Sequence, residues 1–332
     1  MAMPAEPVRA RPADLDELDL LLIEHLQRDG RMPFAELARR VRVTEKTVRR
    51  RVSRLLEENF VTIAAVTDPA LLGYGAMALA LLTTDGSRSP AQLADELARL
   101  PETDYVTVTA GPFPVQVELI CTDVRELHDV AFGRIAALAG VASVELLPYL
   151  RLHYQQARFG GPRDARDGVR PRRLDETDRA IISRLAVAGR APFRDFAAEL
   201  GVSETTIRFR YSRMVASGAA RVMCIANPLR LGYACTGWVA VRVGTGRAEQ
   251  VAEALTRIEA VSYVALTAGR WDVLAEVVCR DGEQLLAVVD GRIRGIDGVA
   301  ELQSWLYIAV HYKPVRPRRT PPGSPAAQIL SS

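Results

Sequence analysis

The sequence predicts an α+β fold in which a three-helix module is followed by a βαββαβ domain, the whole unit repeated twice. Three observations carry that prediction. An amphipathic, arginine-rich stretch, "RVTEKTVRRRVSRL" (Arg42 to Leu55), follows two other segments of helical period. The entire run from Leu15 to Leu55 recurs without a gap from Leu174 to Met214. After each recurrence the texture changes to short runs of strand character separated by helical stretches.

Taken in order, "LDELDLLLIEHLQRDGR" gives a first helix on Leu15, Leu18, Leu22, Ile23 and Leu26, with Gly30 as its stop. "PFAELARRV" gives a second on Phe34, Leu37, Ala38 and Val41, with Pro33 at or just before its first turn. A three-residue connection leads to a third. There Val48, Val52 and Leu55 form one apolar stripe, while Lys46, Arg50 and Ser53 face the opposite way. Thr44 suits the N-cap and Glu45 the first turn. Three short helices, the last two joined tightly and the last one basic, make a winged or plain helix-turn-helix module.

Strands then follow at "GAMALALLTT", "DYVTVTA", "VQVELICT" and "VASVELLPYLRLHY", with helices near Pro90–Leu100 and Asp123–Leu138. The second copy has "TGWVAVRVG", a helix near Ala248–Ile258, "SYVALTA", "VLAEVVCR", a helix near Gly282–Ile293 and "VAELQSWLYIAVHY". This β-α-β-β-α-β order is the ferredoxin-like plan, whose helices cover one sheet face. The other face needs a cover, and a sheet from the partner repeat supplies it. "DPALLGYG" matches "NPLRLGYA" at the junctions, and His153 and Tyr154 match His311 and Tyr312. The duplicated unit spans roughly 140 to 150 residues, far longer than a solenoid repeat. The expected organisation is a disordered tail (1–13), a helix-turn-helix (14–62) and a ferredoxin-like sensing domain (63–154). A linker (155–173), a second helix-turn-helix (174–221), a second sensing domain (222–313) and a tail (314–332) complete it. The Gly-, Pro- and Arg-rich linker has a typical coil span of roughly 24 Å.

In a helix-turn-helix the last helix enters the major groove of double-stranded DNA, its outward side chains reaching base edges and its flanking arginines holding phosphates. Lys46, Thr47 and Arg50 are the candidates for base edges in the first copy, and Thr205, Thr206 and Phe209 in the second. Arg49, Arg51, Arg54, Arg208, Arg210 and Arg213 are the candidates for phosphate, with Arg51 and Arg210 alternatively bracing the module. Thr44 and Ser203, which open the two helices, complete the set. Phe209 stands where the first copy has Arg50 and cannot donate to guanine, though it suits a thymine methyl. The first module is therefore expected to supply more of the electrostatic binding, and the two half-sites to differ.

"LDELD" and "LDETD", the two long motifs that follow them, "DPALLGY", "NPLRLGY" and the turn "GRWDVLAEV" together resemble the Lrp/AsnC family of transcription regulators. The resemblance covers nearly the whole chain outside its tails and linker. It implies a helix-turn-helix followed by an effector-sensing ferredoxin-like domain, protomers paired through their sheets, and homo-oligomers. It also implies a small-molecule effector, commonly an amino acid, near the loop between the second and third strands. On that basis one chain mimics a family dimer. Thr267, Ala268, Gly269, Trp271 and Asp272 become the candidate effector contacts, with Asp272 holding an α-amino group and the backbone around Gly269 facing a carboxylate. A structural turn is the competing reading there, and a Pro-rich tight turn is the reading for "AGPFP" (Ala110 to Pro114), which lacks the aspartate. The family's glycine ahead of the last helix is present as Gly201 but replaced by Arg42 in the first copy, a costly choice if φ is positive.

The net charge of +3 is modest, so DNA binding would rest on local patches. The four cysteines have no metal spacing, and Cys121 and Cys279 hold equivalent strand positions as small buried side chains. No cofactor or metal is expected. No apolar run reaches the length of a membrane span and no signal-peptide core is present, so a cytoplasmic location is expected. Two alternatives stay open. One is an enzyme like the siroheme decarboxylases, which share this fold and would need acid–base groups among His25, His128, His153 and His311. The other is a sensing protein without DNA binding.

Overall fold

The computed structural model describes residues 15–155 and 174–312, the side chains of 153–155 excepted. Both expected tails, and the expected linker beyond Gln155, lie outside the described residues. In chain order the first repeat contains α1 (Glu17–Arg28), α2 (Phe34–Arg40), α3 (Glu45–Glu57), β1 (Val61–Thr67), β2 (Ala76–Thr84), α4 (Pro90–Leu97), β3 (Thr103–Ala110), β4 (Val115–Cys121), α5 (Val124–His128) and β5 (Val141–Gln155). The second contains α6 (Glu176–Val187), α7 (Phe193–Leu200), α8 (Glu204–Ala216), β6 (Ala220–Ala226), β7 (Cys235–Val243), α9 (Ala248–Thr256), β8 (Val261–Thr267), β9 (Val273–Cys279), α10 (Gly282–Val288) and β10 (Val299–Tyr312). A π-helical turn continues α5 over Asp129–Ile135 and α10 over Val289–Ile293.

The chain divides into two compact units, and the division does not follow the repeats. Residues 15–74 and 174–226 form a helical unit, and residues 75–155 and 227–312 a β unit. The boundaries expected after 62 and 221 therefore lie later, after 74 and 226. The reason is a strand pair absent from the sequence reading. β1 and β6 run antiparallel from Val61↔Ala226 to Thr67↔Ala220 and belong with the helices.

Within the helical unit, Asp16 and Asp175 cap α1 and α6, each in a reciprocal capping box with Asp19 or Asp178. The stripe Val48, Val52, Leu55 is buried, as are Leu22 and Leu26 of α1 and Leu37 of α2, the helices that α3 packs with. The strands cross over between modules. Gly30 N–H donates to Val222 O of β6 at 2.9 Å, and Gly189 N–H to Ile63 O of β1 at 3.2 Å. A Cβ on Gly30 would stand 2.8 Å from Met223 Cα, and one on Gly189 2.5 Å from Ile63 O. Only glycine admits a backbone that close.

The β unit is a closed eight-stranded barrel in the order β10-β3-β4-β2-β5-β8-β9-β7. Each βαββαβ half packs its two helices on its outer face, with Leu93, Leu97, Leu127 and Ile135 on β2–β4, and Val251, Leu255 and Ile293 on β7–β9. The inner faces are covered as expected by the other repeat, but through closure rather than through two facing sheets. β5 pairs with β2 along 141–148 and with β8 along 149–155. β10 likewise pairs with β7 along 299–306 and with β3 along 306–312. The lumen is filled by Leu79, Leu81, Phe113, Leu147, Trp238, Tyr263, Trp271 and Trp305 from both repeats, as befits a barrel of this size. Cys121 and Cys279 are buried free thiols, pushed up to about 12 and about 11 by desolvation.

Candidate nucleic-acid interface and sensing turn

The two last helices of the helical modules begin alike. Thr44 accepts from the N–H of Thr47 at 3.2 Å, and Ser203 from that of Thr206 at 3.1 Å. In both, the capping hydroxyl also meets the threonine hydroxyl, at 2.9 and 2.8 Å. Thr44, Thr47, Ser203 and Thr206 are thus first of all a cap, which fixes the backbone that presents the next turn. Arg49 pairs with Glu45 at 2.9 Å and Arg208 with Glu204 at 2.6 Å, both pairs on the surface. Lys46 and Arg50 are exposed and make no ion pair among the described residues. Their counterparts Thr205 and Phe209 are exposed too, Phe209 to 66%.

The remaining arginines face inward. Arg51 reaches Asp16 at 2.8 Å and Asp19 at 3.1 Å, and Arg54 also reaches Asp19, which is fully buried. Arg210 reaches Asp175 at 2.6 Å and Asp178 at 2.9 Å, with Arg213 at 3.5 Å from Asp178. A buried carboxylate needs cationic partners. Arg51, Arg54, Arg210 and Arg213 supply them, so the bracing alternative is the one their geometry carries, for all four. Burial pushes the Asp175 carboxyl up, but hydrogen bonds from Arg210 and the Asp178 backbone, with the charges of Arg210 and Arg213, hold it below its ordinary range. Ahead of α3, Arg42 adopts φ 56°, and Gly201 ahead of α8 adopts φ 63°. The turn is the same in both modules, and the first makes it with a strained residue.

In the second sensing domain the turn Thr267–Asp272 is tied down on every side but its crest. Thr267 Oγ1 donates to Trp271 O at 2.7 Å and Thr267 N–H to Asp272 O at 2.9 Å. Ala268 N–H donates to Pro148 O at 2.9 Å. Trp271 is buried in the lumen. Asp272 Oδ2 accepts from Val243 N–H at 2.8 Å, which closes the end of β7. Gly269, at φ 127°, and Arg270 form the exposed crest, with Arg270 at 3.3 Å from Glu145. The first copy's turn repeats the pattern, Thr109 Oγ1 donating to Phe113 O at 2.6 Å and Thr109 N–H to Pro114 O at 3.0 Å. Asp272 thus has a structural duty that Pro114 cannot share.

Inside the barrel the sequence reading missed a polar cluster. Tyr263 OH donates to Glu118 at 2.7 Å, so a tyrosine of the second repeat serves a carboxylate of the first. Tyr105 OH of the first repeat donates to Glu276 of the second at 3.2 Å, and Tyr307 OH adds a donation to the same oxygen at 2.9 Å. Ser262 donates to the other oxygen of Glu276. Burial pushes both carboxyls above their ordinary values, and the hydrogen bonds oppose that. The tyrosines are pushed up as well, and stay neutral donors.

With this geometry in view, comparison with known proteins is decisive. The AsnC-type helix-turn-helix model matches residues 15–56 and 174–215, and the Lrp/AsnC ligand-binding domain model matches residues 236–315. An HTH-type transcriptional regulator of Pyrococcus abyssi is 34% identical over 137 residues, 41% of this chain and 86% of that protein. The chain belongs to the Lrp/AsnC family. LrpA of Pyrococcus horikoshii is 33% identical to this Lrp/AsnC-type chain over 130 residues, 39% of the chain and 92% of that protein. Each such relative is therefore matched almost whole by well under half of this regulator, which agrees with a tandem duplication. The siroheme decarboxylase NirDL matches nearly end to end, over 95% of this chain and 99% of that one, at TM-score 0.58 and 17% identity. At that identity the likeness is one of fold. No helix of the described residues is long and apolar enough to cross a membrane.

For this Lrp/AsnC-type regulator the structure separates the expected site residues. Lys46, Arg50, Thr205 and Phe209 stand outward on the helix surfaces, whereas the arginine–aspartate braces and the Asp272 turn face into structure. Arg31 and Arg190, matched between the repeats but given no role, turn out to cross from one module to the other. Their identical placement after the first helix, each just past a glycine, was the available signal.

Proposed function

We propose that this regulator reads two unlike DNA half-sites with one chain, through α3 and α8, and answers to an amino-acid effector. The observation that carries the reading is the outward face of these helices. Their caps, braces and preceding turns coincide, while Lys46 and Arg50 in one are Thr205 and Phe209 in the other. Lys46 and Arg50 suit guanine edges or phosphate, and Phe209 suits a thymine methyl. Arg49 and Arg208 lie beside them as phosphate contacts. Among the candidate effector residues, Gly269 in the exposed crest offers its backbone groups to a carboxylate. Trp271 and Asp272 support it from beneath. Homo-oligomers would form through the β unit.

The test is selection of bound duplexes from random DNA by the purified chain, repeated across a salt series and with each amino acid added. Enrichment of two different half-sites, with a salt slope that reports the phosphates neutralised, supports the reading. Enrichment of a perfect palindrome rejects the unlike half-sites, and no enrichment at all rejects DNA reading.

The end-to-end fold likeness to NirDL favours a second reading, an enzyme acting on a siroheme-like macrocycle. The described histidines do not gather for it. His25 lies on α1, His128 is exposed at the end of α5, and His311 is buried at 3.7 Å from Asp95. Release of carbon dioxide from siroheme by the purified chain would restore that reading.

A further inference from the structure

Two guanidiniums join the helical modules to each other. Arg31, just after α1, donates from its two terminal nitrogens to Gly189 O at 2.6 Å and Ala191 O at 3.0 Å. Its carbon centre lies 4.0 Å from the Phe193 ring centroid. Arg190 mirrors these three contacts, donating to Gly30 O at 2.6 Å and Met32 O at 3.0 Å, and standing 4.2 Å from the Phe34 ring. Both are partly buried, and burial and the neighbouring guanidinium bring Arg190 down to about 10, so it remains charged at neutral pH.

The rings extend this link to the reading surfaces. Phe34 opens α2, and Arg49 of α3 lies 5.0 Å from the same ring that carries Arg190. Phe193 opens α7, and Arg208 of α8 lies 5.4 Å from the ring that carries Arg31. Each recognition helix is thus joined, through one aromatic ring, to a guanidinium rooted in the opposite module. The carbonyl acceptors belong to the backbone, so the fork of the guanidinium has a fixed seat rather than a mobile side-chain partner. Together with the β1–β6 ladder and the Gly30 and Gly189 contacts, this locks the distance and the relative rotation of α3 and α8.

We propose that Arg31 and Arg190 are the specificity-determining positioning residues that set the spacing between the two DNA half-sites. The inference rests on the reading that α3 and α8 bind DNA. On a duplex, adding one base pair between half-sites moves the second along the axis and also rotates it about the axis, with a full turn every ~10 base pairs. A locked helix pair meets both requirements at one spacing, and elsewhere the DNA must twist or bend to comply. A loosened pair tolerates neighbouring spacings. Neither arginine needs to touch DNA for this.

The experiment uses the full chain and its two selected half-sites, separated by each of about ten successive spacings across one helical turn. The wild type is expected to bind one spacing best, with the preference falling on either side. In the double variant Arg31→Ala/Arg190→Ala, affinity for a duplex carrying a single half-site should stay within about twofold, while the contrast between best and worst spacing drops about tenfold or more. The charge-keeping pair Arg31→Lys/Arg190→Lys should broaden the profile too, because an ammonium cannot make the forked, ring-stacked contact. Should the alanine pair fail to fold, Phe34→Leu/Phe193→Leu removes the stacking with little change in apolar bulk and should flatten the same profile. An optimum that remains equally sharp in folded variants overturns the proposal. A wild-type chain that selects neither half-site overturns the reading beneath it, and the proposal with it.

Discussion

The two helix-turn-helix modules differ least where they hold themselves together and most where they face outward. Asp16, Asp19, Arg51 and Arg54 recur as Asp175, Asp178, Arg210 and Arg213, with the same ion pairs. Arg31 and Arg190 exchange the same hydrogen bonds. On the outward face, by contrast, Arg50 faces solvent where the other module has Phe209. Duplication within one chain frees each reader to change, because the two need no longer be encoded by one sequence as in a symmetric dimer. The frame that positions them has no such freedom, since Arg31 and Arg190 are each seated in the opposite module.

The largest effect should fall on that frame. Asp19→Ala and Asp178→Ala each leave two arginines without their buried carboxylate and remove one side of a capping box. We expect about 3 kcal/mol of lost stability for either, seen in urea unfolding followed by circular dichroism. Losses differing severalfold would show that the two frames are not equivalent after all. Next, Arg50→Ala should weaken binding at one half-site by about 1–3 kcal/mol and lower the salt slope by about one. Phe209→Ala should cost under about 1 kcal/mol at the other half-site and leave the slope alone. Equal slopes for the two variants would erase the distinction drawn between the readers.

Smaller effects sharpen the same comparison elsewhere. Glu118 and Glu276 have carboxyl pKa values raised in the folded state by burial. The stability they contribute is therefore present in acid and lost as pH rises through the folded value. Glu118→Gln and Glu276→Gln keep the tyrosine acceptor without the charge, so each should flatten the pH dependence of melting and raise stability above that window. A wild-type profile that rises with pH through the window would contradict this sign. Smallest, Arg42→Gly should stabilise by about 1 kcal/mol by removing a side chain at positive φ, and Gly201→Arg should lose a similar amount. Thermal melts of the two variants, moving in opposite directions, would check it.

Much of this was legible in the sequence, for identifiable reasons. The helices show in the spacing of Val48, Val52 and Leu55, the caps in Thr44 and Ser203, and the duplication in the ungapped match of the two modules. The pairing of β1 with β6 was not, although "FVTIAAVT" and "ARVMCIA" have strand composition, because a short strand directly after a helix reads as the start of the next domain. The partners of Asp19, Arg51 and Arg54, lie 32 and 35 residues further on, on α3 of the same module. Helical spacing gave them as phosphate candidates, with bracing the alternative for Arg51 alone. Trp271 and Asp272 became effector candidates only through the family resemblance of the "AGRWD" turn, with a structural turn as the competing reading. Only the register of β7 and β9 shows that Val243 takes the carboxylate. Likewise Tyr105 and Tyr263 sit in plain strand patterns, and nothing local announces that each reaches a glutamate of the other repeat.

The two long strands that each serve both halves of the barrel also constrain how the chain acquires its structure. β5 cannot complete its pairing until β8 exists, and β3 keeps an open edge until β10 has been made. During synthesis the first ferredoxin-like half must therefore wait, with unpaired backbone, for nearly the whole second repeat to emerge. Contacts so distant along the chain slow folding, and an open strand edge is a template for another chain in the same state. The strands shared between the two repeats also give two nascent chains an opportunity to complete each other's barrels, and a chaperone that shields the β3 edge would be the natural safeguard.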